Sequence, residues 1–281
     1  MKHAIIGMLG VAALMLGGPV TAKEWTSVRI ATEGAYAPWN FTEPSGQLGG
    51  YDVDVSRDLC RRMNVQCDII AQDWDGIIPG LNAGKYDAIV AAMVITPKRQ
   101  EAVDFTVPYA VGSRSFITLK TSPLAEIKPE QKVYDLVKDA DALRKVIEEL
   151  KPKLQGKVIG VQSATTHVQF MDEYLKGVAE TREYKSAEAM ILDLKSGRID
   201  AVLDGIAFLG GTLNSPDGEE LTFIGPRFAG GLFGIGSAIA VRKSDPELRD
   251  KFNAALKEAI ADGTLSKLSQ KWFKLDIAPQ P

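Results

Sequence analysis

The chain has 281 residues, with 33 Lys and Arg against 36 Asp and Glu, a net charge of −3, and 45% hydrophobic residues. A nucleic-acid surface carries a strong positive excess, so this balance argues against a polyanion partner, and the length suffices for one large core or two moderate ones. Two histidines and two cysteines are too few for most His-dependent catalytic constellations or for a thiolate-imidazole metal site, and no cofactor is expected.

Lys2 and His3 precede a 12-residue apolar run from Ile5 to Leu16, and Val20-Thr21-Ala22 supplies the small residues of a cleavage site. Residues 1–22 read as a removable signal peptide that sends the protein to the periplasm. A membrane anchor needs roughly 18 or more apolar residues. Cys60 and Cys67 lie seven apart in a chain bound for an oxidising compartment, where a local disulfide is expected to contribute about 2 kcal/mol. Two buried thiols are the alternative.

In chain order, residues 28–32 form a short buried strand, and residues 51–63 form a helix with Val55, Leu59 and Met63 on one face. A second helix follows from Trp74 to Leu81, with Asp75 as its N-cap and Gly84 at its stop, and a strand runs over 87–91. Residues 121–155 are charged and less strand-like; one helix over 141–151 ends before Pro152, which makes the segment a surface elaboration. The opening grammar then returns: a strand over 157–161, helices over 166–175 and 186–195, and a strand over 200–203. Residues 81–90 and 194–203 share the form Leu-x-x-Gly-basic-apolar-Asp-Ala followed by two apolar residues. From Asp245 the pattern is helical, with Phe252, Leu256 and Ile260 on one face, a stop at Asp262-Gly263, and a last helix through Leu265, Leu268 and Trp272. The repeated grammar implies two α/β lobes of similar topology, each a mostly parallel sheet flanked by helices. Ligands of such sheets sit at the carboxyl ends of the strands, so two facing lobes make a cleft.

Several segments resemble one family. They are Ala31-Thr-Glu-Gly-Ala-Tyr-Ala-Pro-Trp-Asn-Phe41, Gly50-Tyr-Asp-Val-Asp54, Asp73-Trp-Asp-Gly-Ile-Ile-Pro79, Ile95-Thr-Pro-Lys-Arg-Gln100, Asp104-Phe-Thr-x-Pro-Tyr109 and Asp262-Gly-Thr264. Together they resemble the polar amino-acid class of periplasmic solute-binding proteins over nearly the whole mature chain. Within it the chain looks like the basic amino-acid binders, including the Cys60–Cys67 pair, and more like the octopine and nopaline binders. The resemblance implies a type II two-lobe fold with a two-strand hinge, lobe 1 at 23–114 and 232–281, and lobe 2 at 115–231. It also implies a monomer that hands its ligand to a permease and ATPase of an ABC transporter.

Thr96 and Pro97 form an N-cap and first helical position that place Arg99 in a first turn, where it can clamp a carboxylate bidentately. The resemblance assigns Arg99 to the ligand's α-carboxylate, with Thr165 completing that site. Gln162, Ser163, Thr165, Thr166 and His167 follow a strand and open a helix, offering a second donor set. His167 has a histidine counterpart in the nopaline binders. Tyr36 and Trp74 match positions that sandwich the side chain of basic amino acids, whereas Trp39 reads as core. Glu33, just past the first strand, matches a carboxylate that receives the far cationic end of lysine or arginine.

Two departures bear on the ligand. Ala91, Ala92 and Val94 stand where basic amino-acid binders carry serines, which leaves backbone groups to do the polar work. Gly205 stands at the position of the aspartate that takes a free α-ammonium, with Asp204 just before it, which fits a substituted α-nitrogen; a shift of one residue would return Asp204 to that role. The expected ligand is therefore an opine or arginine-type amino acid. An ordinary basic amino-acid receptor is the alternative, and a dehydratase-like enzyme using Asp204 or Glu33 as general acid is the rival from another class.

Overall fold

A computed structural model of the protein describes residues 24–280, and the signal segment at 1–22 lies outside the described residues. Strands β1 (Ser27–Thr32), β2 (Ala35–Tyr36), β3 (Asn40–Thr42) and β4 (Leu48–Gly49) lead into helix α1 (Tyr51–Met63), then β5 (Gln66–Ala71), α2 (Ile77–Asn82), β6 (Ala88–Ile89), the one-turn α3 (Pro97–Gln100) and β7 (Asp104–Ala110). The chain then crosses into a second unit made of β8 (Arg114–Leu119), β9 (Val133–Asp135), α4 (Ala140–Leu154), β10 (Val158–Gln162), α5 (Thr166–Phe170), β11 (Glu180–Tyr184), α6 (Ala187–Lys195), β12 (Ala201–Gly205), α7 (Ile206–Leu213) and β13 (Leu221–Ala229). It returns through β14 (Ser237–Val241) and ends on α8 (Pro246–Ala261) and α9 (Thr264–Phe273), which pack against α1 and the first sheet.

The two large sheets share one plan. The first has the order β5-β1-β6-β14-β7 and the second β11-β10-β12-β8-β13-β9. In each, three parallel strands (β5-β1-β6 and β11-β10-β12) are followed by antiparallel neighbours. Parallel strands need helical crossovers, which α1 and α2 provide in one lobe and α5 and α6 in the other. The antiparallel members β7, β8, β13 and β14 lie where the chain passes between lobes, and the strand pattern of the sequence does not single them out.

Local chemistry explains most of the ends. Ser186 caps α6 by accepting from the Ala189 amide at 3.3 Å, and Gly84 turns the chain after α2 at φ 74°. Two expectations change. Pro152 does not end α4, because the helix runs on to Leu154: the ring removes only the bond to the carbonyl four residues back, and burial of Leu150 and Leu154 holds the last turn. The charged segment is also more than a surface elaboration, since β9 pairs in parallel with β13 as an edge strand and α4 buries Leu143, Ile147, Leu150 and Leu154.

Cys60 on α1 and Cys67 on β5 form a disulfide, with Cα atoms 6.1 Å apart, and neither borders the cleft. Replacing both by serine is expected to cost about 2 kcal/mol and lower Tm by roughly 4–8 °C in thermal denaturation, with ligand affinity unchanged.

Candidate functional site

The strand ends of both lobes face one cleft. Thirteen of the residues picked out in the sequence for the ligand site line it: Glu33, Tyr36, Trp74, Ala91, Ala92, Val94 and Arg99 from the first lobe, and Gln162, Thr165, Thr166, His167, Asp204 and Gly205 from the second, whereas Ser163 lies outside it. Trp39 is 6% exposed and packs against Tyr51 and Phe273 with centroids at 5.5 and 4.8 Å, as a core residue does, although its edge reaches the cavity.

The lobes touch across this cavity. Gln162 donates from Nε2 to Glu33 Oε1 at 2.6 Å, Tyr36 donates its hydroxyl to Asp204 Oδ1 at 2.6 Å, and Ser163 donates to Asp75 Oδ1 at 3.0 Å. Asp75 is thus not the cap of α2. It lies in a 3-10 turn before that helix and its carboxylate points to the other lobe, leaving Gly76 at the cap position. Tyr36 stacks on Phe208 at 4.5 Å, and at Gly211 a Cβ would fall 2.5 Å from the Pro38 ring, so a glycine is required for this approach.

Thr96 caps α3 as its sequence implies, accepting from the Arg99 amide at 3.2 Å. That helix is a single turn, so the positive charge of the site comes from the Arg99 guanidinium and hardly from a helix dipole. Arg99 donates to the carbonyls of Val94 (3.0 Å) and Ala164 (3.4 Å), and its Cζ lies 5.2 Å from the Trp74 ring. The face of Trp74 is therefore in use by Arg99. Thr165 spends its hydroxyl locally: it accepts from the His167 amide at 3.3 Å as cap of α5 and donates to the Gln162 carbonyl at 2.7 Å.

Burial governs the titrations. It raises the Glu33 carboxyl to about 7 despite the bond from Gln162, and raises Asp204 to about 6. It lowers Arg99 to about 10, with the charge of Arg114 adding to the effect. His167 is held well below its ordinary value by burial and by Arg114 and Arg99, so its imidazole is neutral. Both ring nitrogens of His167, Oδ2 of Asp204 and Nε of Arg114 are shielded from water without a hydrogen-bond partner among the described residues, with His167 Nε2 3.8 Å from Asp204 Oδ1.

Behind the wall lies a support that sequence reasoning missed. Asp52, fully buried, accepts from the Tyr109 hydroxyl (2.7 Å) and from Asn40 Nδ2 (2.7 Å). The Tyr109 oxygen accepts the Ala92 amide at 2.9 Å, and Asn40 Oδ1 accepts the Gly34 amide at 2.7 Å. Asp52 thus anchors both Gly34, next to Glu33, and Ala92, which has φ 49° although it bears a Cβ. Such a conformation costs about 1–3 kcal/mol and persists only when its surroundings impose it. Arg114 was also missed, since residues 104–120 carry no strand-and-helix signature; its only early sign is a lone arginine opening an apolar run.

Two α/β lobes that bring their strand ends, with several charged side chains, to one cleft are the architecture of a periplasmic solute-binding protein. Residues 28–275 match the bacterial extracellular solute-binding proteins, family 3, and the chain belongs to that family. It is 41% identical to the octopine-binding periplasmic protein of Rhizobium meliloti, over 95% of this chain and 97% of that one. It is 34% identical to the L-arginine-binding protein of Pseudomonas aeruginosa over 98% of each chain. An ancestral arginine-binding protein bound to arginine has the same fold, with a TM-score of 0.73 and 30% identity over 88% of this chain and 98% of that one.

Asp52→Ala removes the acceptor of two buried donors and is expected to cost about 2–4 kcal/mol in urea denaturation. Asp52 is itself raised by burial from 3.8 to about 7, so the folded protein holds its proton more tightly than the unfolded chain, and stability falls as pH rises between those values. The same variant should flatten that decline.

Proposed function

We propose that the protein is the periplasmic receptor of an ABC transporter for a guanidino amino compound, either arginine or an opine built on it, and that its lobes close over the ligand. The observation that carries this reading is the charge pattern of one cleft between the lobes. Arg99 offers open guanidinium donors, while Glu33 and Asp204 are buried carboxylates without a cationic partner in hydrogen-bond range among the described residues.

In this reading Arg99 clamps the α-carboxylate, Asp204 or the backbone at Gly205 meets the α-nitrogen, and Glu33 receives the distal cation. Tyr36 and Trp74 flank the aliphatic part with the ring surface that Phe208 and Arg99 leave uncovered, and Thr165, Thr166 and His167 close the site from the second lobe. The lobes divide close to residues 114 and 231, hinged where the chain crosses between β7 and β8 and between β13 and β14, with Arg114, which opens β8, on the second-lobe side. The relatives' names support both ligand choices. The Asp204 carboxylate at the cavity wall specifically favours a ligand whose nitrogen still bears a proton to donate. A monomer that meets a permease and its ATPase through the lobe surfaces completes the proposal, and no catalytic step is assigned to Glu33 or Asp204.

Arg99→Ala is expected to weaken arginine binding by at least 100-fold in isothermal calorimetry, about 3 kcal/mol, without lowering Tm. Unchanged affinity would remove the clamp assignment. Near pH 6.5 Glu33 is largely protonated in the protein, and a guanidinium beside it favours the ionised form, so wild-type binding should release protons. Calorimetry in buffers of different ionisation enthalpy measures that release, and Glu33→Gln should abolish most of it.

A further inference from the structure

We propose that the segment after α9, residues 274–278, is a strap that ties the first crossing between the lobes to the first lobe and so limits how far the lobes open. This rests on the two-lobe hinge reading above and adds a control on its amplitude.

Helix α9 ends at Phe273, and Lys274 turns the chain back in the left-handed conformation, at φ 55°. The returning segment is then held from within. Ser269, fully buried on α9, donates its hydroxyl to the Leu275 carbonyl at 2.6 Å and accepts the Ile277 amide at 2.8 Å. Asp276 accepts the Ala278 amide at 3.0 Å, and the side chains of Ile277 and Ala278 are buried, so apolar contact adds to the hold. The Ile277 carbonyl accepts the Val111 amide at 2.8 Å, and Val111 lies in the link between β7 and β8.

Two ties therefore bracket a single residue. Val111 is bonded to the strap on the first-lobe side, whereas Ser113 accepts the Ile206 amide of α7 on the second-lobe side at 2.9 Å, and Gly112 alone lies between them. The second crossing has a tie of its own, because Gly236 accepts the Ile95 amide at 2.9 Å, and Gly234 comes so near that a Cβ on it would fall 2.1 Å from the Ile95 carbonyl oxygen. The strap does for the first crossing what Ile95 does for the second. A hinge bends at the few residues that absorb the change in φ and ψ, so releasing Val111 lengthens the bend and widens the opening. Ile277 also borders the cleft beside Val111 and Gly112, and α9 packs against α7 of the second lobe, which places the strap at the back of the cleft, where both lobes meet it.

The test places spin labels at Glu101→Cys and Asp172→Cys, exposed positions on the first and second lobes; the Cys60–Cys67 disulfide leaves no native thiol to label. Electron-electron double resonance then reads the distance between lobes. Two variants release the strap: truncation after Asp276, and Ser269→Ala, which removes the anchor without altering the cleft wall. In ligand-free protein both are expected to lengthen the mean inter-label distance and broaden its distribution. Arginine, measured by calorimetry, should bind at least fivefold more weakly, with the arginine-loaded distance as in wild type. Should the truncated chain fail to fold, Ser269→Ala decides. A lower Tm with ligand-free distances at wild-type values would make the segment a packing element only and overturn the strap. Wild-type protein that binds no arginine would end the receptor reading for that ligand, and the ligand-free distances would still decide the strap.

Discussion

Two guanidiniums and two carboxylates are held between the lobes, and among the described residues none of the four hydrogen-bonds another, although Asp204 and Arg114 feel each other's charge. Glu33 is bonded to Gln162 and Asp204 to Tyr36, while Arg99 and Arg114 donate to backbone carbonyls. Charges taken out of water without partners are costly, and the cost appears as carboxyls pushed up and arginines and histidine pushed down. A ligand with complementary charges removes that cost only when the lobes are closed. Closure and recognition are therefore one event, which is the population-shift logic of a hinge protein.

The rest of the fold keeps this arrangement in register. Parallel strands deliver Glu33, Gln162 and Asp204 at their carboxyl ends, and short helical turns deliver Arg99 and His167. The Asp52 network fixes the Gly34 loop and the left-handed Ala92, so the first lobe presents a wall set before any ligand arrives. Preorganisation of this kind lowers the ordering cost of binding. The contacts between Tyr36 and Phe208, Gln162 and Glu33, and Ser163 and Asp75 are the ones that opening must break.

Much of this was legible in the sequence because strand, helix and turn each leave a local period. The first strand, α1, α6, α8 and the capped turn at Thr96 follow from spacing and caps alone, and the echo between residues 81–90 and 194–203 announces two lobes. The site residues were legible for a different reason, through resemblance to a family whose ligands demand them. What stayed hidden depends on distant partners. Asp75 has the right type and place for a cap but bonds to Ser163, 88 residues away. Asp52 sits on a helix face where a carboxylate reads as solvated, and only the fold brings Tyr109 and Asn40 to it. Arg114 meets Phe233 only through the fold, and Pro152 is overruled by the burial of Leu154.

The central claim is that one cleft demands both a carboxylate and a distal cation of its ligand. Calorimetry of the mature protein, stripped of carried ligand, against arginine, octopine, glutamine and glutamate tests it most directly. The account expects the two guanidino ligands to bind at least 100-fold more tightly than glutamine or glutamate. Equal or tighter binding of glutamine or glutamate would contradict it, since Glu33 would then have no cation to receive.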